Sequence, residues 1–139
     1  MILLDTNVVS EPLRPAPDAR VIQWIDAQQL ETLFLSAITV AELRAGVALL
    51  PPSKRRTGLQ TNLETRVLPL FAGRVLPFDF GCTQAYAELM AKARAAGLAI
   101  ASADGYIAAI AAANGLVVAT RDIGPFKAAG STVINLWQA

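Results

Sequence analysis

Four acidic residues occupy positions from which a chain could do hydrolytic chemistry: Asp5, Glu42, Asp104 and Asp122. Carboxylates present only oxygen, and an oxygen-only set selects hard cations. Mg²⁺ is therefore the natural companion, with Mn²⁺ able to substitute, and two ions could be held where carboxylates bridge. Without a cation, crowded carboxylates raise one another's pKa. Thr6 and Asn7 flank Asp5, and Thr120 and Arg121 precede Asp122. The hydroxyls and the amide are able to orient a metal-bound water, or to serve as plain caps and turns. Taken singly, each acid also has an ordinary explanation. Asp104 complements a helix dipole, Asp5 and Asp122 suit strand-end turns, and Glu42 suits a solvated helix face. Only a shared location would set them apart.

The elements that must position them follow from hydrophobic period. Short apolar runs at Ile2 to Leu4, Leu33 to Leu35, Arg74 to Pro77, Leu116 to Thr120 and Thr132 to Leu136 read as strands. Helical spacing appears from Asp18 to Gln28 and from Thr39 to Leu50, where Pro51-Pro52 ends it. Ser53 can cap a further helix reaching about Leu70, and another runs from Thr83 to about Ala96, closed by Gly97. Ser102 is placed to cap a helix over Ala103 to Asn114, which Gly115 closes. Pro12, Pro15 and Pro17 mark a stiff early loop.

Alternating apolar strands and helices predict an α/β protein with a parallel sheet covered on both faces. All strands of such a sheet end at one edge, where these folds bind ligands. Asp5 and Asp122 directly follow the first and fourth strands. Glu42 lies about a turn into the helix after the second. Asp104 lies in the first turn of the helix leading back to the fourth. The four carboxylates are thus expected to converge, and four independent caps have no reason to share an edge.

Composition narrows the chemistry further. The 139 residues suit one domain spanning 1–139, and no linker or repeat divides them. There is no His, which removes Ser-His-Asp and Cys-His nucleophile systems. The lone Cys82 reads as a structural thiol. A net charge of +1 argues against binding nucleic acid mainly through a basic surface. The amino terminus lacks a basic signal-peptide start and no stretch suits a membrane span, so a soluble, cytoplasmic protein is expected. At 54% hydrophobic and 17% charged, the chain is short of polar surface, even allowing for its 26 alanines. Exposed apolar patches needing a partner are predicted, and the isolated chain should be less soluble than its complex.

Four blocks carry a family resemblance: Met1-Ile-Leu-Leu-Asp-Thr-Asn-Val-Val-Ser-Glu11, Leu35-Ser-Ala-Ile-Thr-Val-Ala-Glu-Leu43, Ala103-Asp-Gly-Tyr-Ile-Ala-Ala109, and Ala119-Thr-Arg-Asp122 with Phe126 and the Val133 to Trp137 tail. In this order they resemble PIN-domain ribonuclease toxins of the VapC and FitB type, from type II toxin-antitoxin systems. The resemblance implies a three-layer α/β/α sandwich around a five-stranded parallel sheet. It also implies an acidic centre at Asp5, Glu42, Asp104 and Asp122. Many relatives carry Thr-Arg-Asn followed by Asp-Phe, whereas here Asp122 takes the Asn place and Pro125 precedes Phe126.

The implied activity is a Mg²⁺ or Mn²⁺-dependent endoribonuclease. An ion held by Asp5 and Asp104, helped by Glu42 and Asp122, would activate water against an RNA phosphodiester and leave a 5′-phosphate. Implied partners are the RNA substrate, a cognate antitoxin, promoter DNA only through the antitoxin, and a second toxin subunit in a homodimer or larger assembly. By sequence position, Arg14, Arg44, Arg121 or Lys127 could place substrate, while Lys54-Arg55-Arg56 reads as a solvated helix start. Two rival functions are a catalytically silent binding protein of the same fold and an aspartyl-phosphate phosphatase with Asp5 as nucleophile. The latter chemistry usually wants a second Asp two residues on, where this chain has Asn7.

Overall fold

The computed structural model describes residues 1–138. Five strands, β1 (Ile2–Leu4), β2 (Leu33–Ser36), β3 (Val75–Leu76), β4 (Val117–Ala119) and β5 (Val133–Ile134), form one parallel sheet in the order β3-β2-β1-β4-β5. β1 is central, with Leu3 paired to Phe34 of β2 and Val118 of β4. The two edge strands hold only two residues each, which limits the unpaired edge they offer to other chains.

Successive strand residues feed opposite layers, as a period of two requires. Leu4, Leu33, Leu35 and Ala119 pack beneath one layer, built from α1 (Thr6–Ser10), α2 (Ala19–Ala27), α3 (Ala37–Ala48) and the carboxyl-terminal Leu136–Gln138 turn. Leu3 and Val118 pack beneath the other, built from α5 (Phe80–Ala95), α6 (Ser102–Asn114) and α7 (Ile123–Ala128). The result is the expected three-layer sandwich. Ile107, Ile110 and Phe126 are fully buried in this second layer, and each such side chain contributes about 1.5–3 kcal/mol by leaving water.

Local chemistry fixes the helix ends. Ser36 caps α3, its hydroxyl accepting from the Thr39 amide at 2.9 Å. Ser53 does the same for α4 (Lys54–Asn62), accepting from the Arg56 amide at 3.1 Å. The helix foreseen to about Leu70 instead widens into a π turn at Leu63–Val67 and tightens into a 3-10 turn at Leu68–Phe71. α5 and α6 close on Gly97 and Gly115, whose φ angles of 72° and 66° suit a residue without Cβ. Ser102 is not the expected cap. It is the first residue of α6, the cap position belongs to Ala101, and no side chain bonds there.

The apolar surplus is visible at the surface. Leu49 and Phe80 are 84% and 91% exposed. Leu30 and Leu70 flank an apolar groove of about 240 Å³ between α2 and the 67–71 segment. Among the described residues, no helix is long and apolar enough to cross a membrane.

Candidate active site

Asp5 sits where β1 ends and α1 begins, and it is the buried member of the acidic set. One carboxylate oxygen accepts from the Thr6 amide at 2.8 Å. The other accepts from the Thr120 hydroxyl at 2.8 Å and from the Asn7 amide group at 3.4 Å. Thr120 directly follows β4, so these bonds tie the tips of two adjacent strands. The tie continues outward, because Asn7 accepts from the Arg121 amide at 3.2 Å and Thr120 accepts from the Asp122 amide at 3.0 Å. Asn7 also donates to Thr120 at 3.4 Å. The strand-to-helix turn after β1 is thereby locked.

Glu42 reaches the same place from α3. Its carboxylate accepts from the Thr6 hydroxyl at 2.7 Å. Thr39, one turn earlier and fully buried, stands 3.2 Å from both the Thr6 and Ser36 hydroxyls. A hydroxyl chain Ser36–Thr39–Thr6 thus links the end of β2 to Glu42. Thr6 and Thr120, read in the sequence as able to orient a metal-bound water or to act as caps and turns, direct their hydroxyls at carboxylates.

Asp104 is half-buried in the first turn of α6, and Asp122 is exposed ahead of α7. Neither carboxylate accepts a hydrogen bond among the described residues. Electrostatics still couples them to the rest. Burial pushes Asp104 above its ordinary pKa, and the charges of Asp122 and Glu42 push it further. Asp5 is pushed up to about 6, mainly by burial, against the lowering bonds from Thr120 and Thr6, with Asp104 and Glu42 adding repulsion. Asp104 therefore stands within electrostatic reach of the other three acids. Thr6 bonds both Asp5 and Glu42, Thr120 bonds both Asp5 and the Asp122 backbone, and Asp104 adds its charge from α6. Among the described residues, however, no three acidic or thiol groups are already gathered tightly enough to hold an ion.

Arg44, Arg121 and Lys127 fall differently from the sequence expectation. Arg44 forms a two-pronged pair with Glu64 at 2.8 and 3.0 Å, so its guanidinium is engaged away from the acids. Arg121 lays its guanidinium over the Trp137 ring, 5.2 Å from the centroid. Lys127 borders a shallow depression with Leu98 and Pro125, outside the acidic set. Arg14 pairs with Glu11 at 3.2 Å. Glu11, buried, also accepts from the Asp18 amide at 3.0 Å and so pins the proline-rich loop. Sequence reading passed over Glu11, Ser36 and Thr39. A Ser just before an apolar helical run is a capping signal that would have found Ser36, whereas nothing in the pattern marks Glu11 as buried. Cys82 is buried and donates to Asp79 at 3.3 Å, in keeping with a structural thiol.

The class this defines is a parallel α/β protein with an all-oxygen acidic centre at the carboxyl edge of its sheet. The PIN-domain family model matches residues 2–131, and the chain belongs to that family, in the branch of the VapC and FitB toxins. It is 68% identical over 139 residues to the plasmid stability protein StbB of Pseudomonas syringae pv. tomato, covering 100% of both chains. It is 59% identical over 138 residues to the VapC ribonuclease Y4jK of Sinorhizobium fredii, covering 99% of both. The solved structure of FitAB bound to an IR36 DNA fragment superposes with a TM-score of 0.95 at 55% identity, covering 99% of this chain and 96% of that one.

Proposed function

We propose that the chain is the ribonuclease of a type II toxin-antitoxin pair, an endonuclease dependent on Mg²⁺ or Mn²⁺ that cuts RNA phosphodiester bonds. The observation that supports this is the bonding of Asp5 and Glu42 to the same Thr6 and of Asp5 and the Asp122 backbone to the same Thr120, with Asp104 adding its charge from α6. Likeness to a protein named as a VapC ribonuclease supports the choice of reaction. The donor set fits a hard divalent ion, since it is all carboxylate and the cation would relieve the repulsion. Asp5 and Asp104 would hold the ion, with Glu42 and Asp122 as further ligands. When bound, it would supply Lewis-acid activation of water and charge stabilisation at phosphorus.

The chain's own residues prepare this site. The Thr6 amide and Thr120 hydroxyl fix Asp5, Thr6 orients Glu42, and Asn7 holds the β4 tip against α1. Asp104 and Asp122 keep their lone pairs open. No side chain here forms a covalent intermediate in this reading. Asp5 is buried and bonded on both oxygens, which favours a ligand over the nucleophile of an aspartyl-phosphate enzyme.

The partners proposed are an antitoxin that covers the acidic pocket and apolar surface, promoter DNA reached only through it, and a second toxin subunit. The protein is proposed to act as a single domain in the cytoplasm. The direct test is cleavage of cellular RNA with Mg²⁺, with a chelator, and with Asp5→Ala and Asp104→Ala. Metal-dependent cuts bearing 5′-phosphates, lost by about 10²–10³-fold in both variants, are expected. Undiminished cleavage by both would sink the proposal.

A further inference from the structure

A groove of about 430 Å³ adjoins the acidic centre, with Thr6 and Glu42 among its lining residues. Its lining comes from α1 and the loop after it and from α3 and α4. Leu43, Val47 and Leu59 make part of that lining apolar, while Arg14 enters from the loop after α1 and Arg55 from α4. Both guanidiniums are exposed. Arg14 is steadied by buried Glu11, and Arg55 has no carboxylate within ion-pair distance among the described residues. Its neighbour Arg56 turns to a separate recess shared with Arg44 and Glu64. The basic run at the start of α4, which reads as solvated in the sequence, thus divides, and one member faces the groove.

We infer that this groove seats the single-stranded RNA flanking the scissile bond, with Arg14 and Arg55 binding phosphates from two separate segments. The inference rests on the ribonuclease reading and names positioning residues for it. Three features select this occupant. The groove is continuous with the acidic centre. Its apolar lining suits an unpaired base or ribose face, which a duplex keeps inside its stack. Two cations from separate segments suit a phosphate backbone lying along the groove, and they offset the local repulsion that Glu42 exerts on phosphate. Gly46 also faces the groove, and a Cβ built there would meet nothing within 4 Å.

The test uses full-length Asp104→Asn protein, which should bind a labelled single-stranded RNA without cutting it. Adding Arg14→Gln and Arg55→Gln should weaken binding about tenfold and flatten the dependence of log affinity on log salt by about 1.4, at roughly 0.7 per phosphate contact. Lys at both positions should restore the slope. Gly46→Leu, which keeps every charge and improves helix propensity, should weaken binding at an unchanged slope. With Asp104 intact, the two Gln substitutions should raise KM far more than they lower kcat. Arg94→Gln, on α5 and outside the groove, controls for general loss of charge. If wild type cleaves RNA while the double Gln variant and Gly46→Leu bind it normally, the assignment is overturned and the ribonuclease reading stands. If those variants lose only the antitoxin, the groove belongs to a protein partner and the assignment is again overturned. If wild type neither binds nor cleaves RNA, both readings fall.

Discussion

The two halves of the acidic centre are built in opposite ways. Asp5 and Glu42 are held: a backbone amide, two Thr hydroxyls and an Asn amide fix their oxygens, and Thr39 and Ser36 support the Thr that holds Glu42. Asp104 and Asp122 receive no such bonds among the described residues and are placed only by the starts of α6 and α7. The difference teaches where geometry is stored and where a ligand is still to act. The held half sets a fixed point on the sheet edge. The unheld half keeps unspent lone pairs, so a bound cation would gain its new bonds there.

The largest expected effect breaks the unheld half. Asp104→Asn should lower cleavage by about 10²–10³-fold and leave the metal-free fold at least as stable, because it removes a charge that burial and two neighbouring acids disfavour. Cleavage assays beside chemical denaturation separate these two outcomes, and a clear loss of stability would mean that Asp104 has a bonding role the structure does not show.

Asp5, in the held half, titrates. Asp5 has a folded pKa of about 6 against an ordinary 3.8, so the folded state binds this proton more tightly than the unfolded chain does. Its contribution is fully present below about pH 4 and is lost as pH rises through 6, by up to about 3 kcal/mol in metal-free protein. Denaturation curves between pH 4 and 7.5 should show this fall, with Mg²⁺ or Mn²⁺ reducing it. A stability that rises across that window would show that the bonds from Thr120 and Thr6 outweigh burial.

A smaller effect sharpens the contrast. Thr120→Val keeps the shape but removes the hydroxyl that donates to Asp5 and accepts from the Asp122 amide. Activity should fall about 10–100-fold, with a stability loss of about 1–2 kcal/mol from the unpaired groups. Unlike Asp104→Asn, it should weaken fold and function together. Full activity in this variant would dissolve the distinction between the two halves.

Much of this was legible in the chain because element order alone sends Asp5, Glu42, Asp104 and Asp122 to one edge of a parallel sheet. The five strands were readable as short apolar runs. α1 and α7 were not, since five and six residues are too few to show a helical period. The hydroxyl chain through Thr39 escaped notice because Thr within an apolar run looks like core filling. Arg44 and Arg55 exchanged roles for a similar reason. Which Arg meets Glu64 and which faces the groove depends on the rotation of α3 against α4, and spacing along the chain does not encode that. The apolar surplus proved to be partly internal, in the two-sided core, and partly exposed at Leu30, Leu70 and Phe80.

The most direct test of the central claim is a calorimetric Mn²⁺ titration of purified wild type, Thr120→Val and Asp104→Asn. Binding should be clear in wild type, about 10–100-fold weaker in Thr120→Val, and absent in Asp104→Asn. No binding to wild type, or equal binding by all three, would contradict the account.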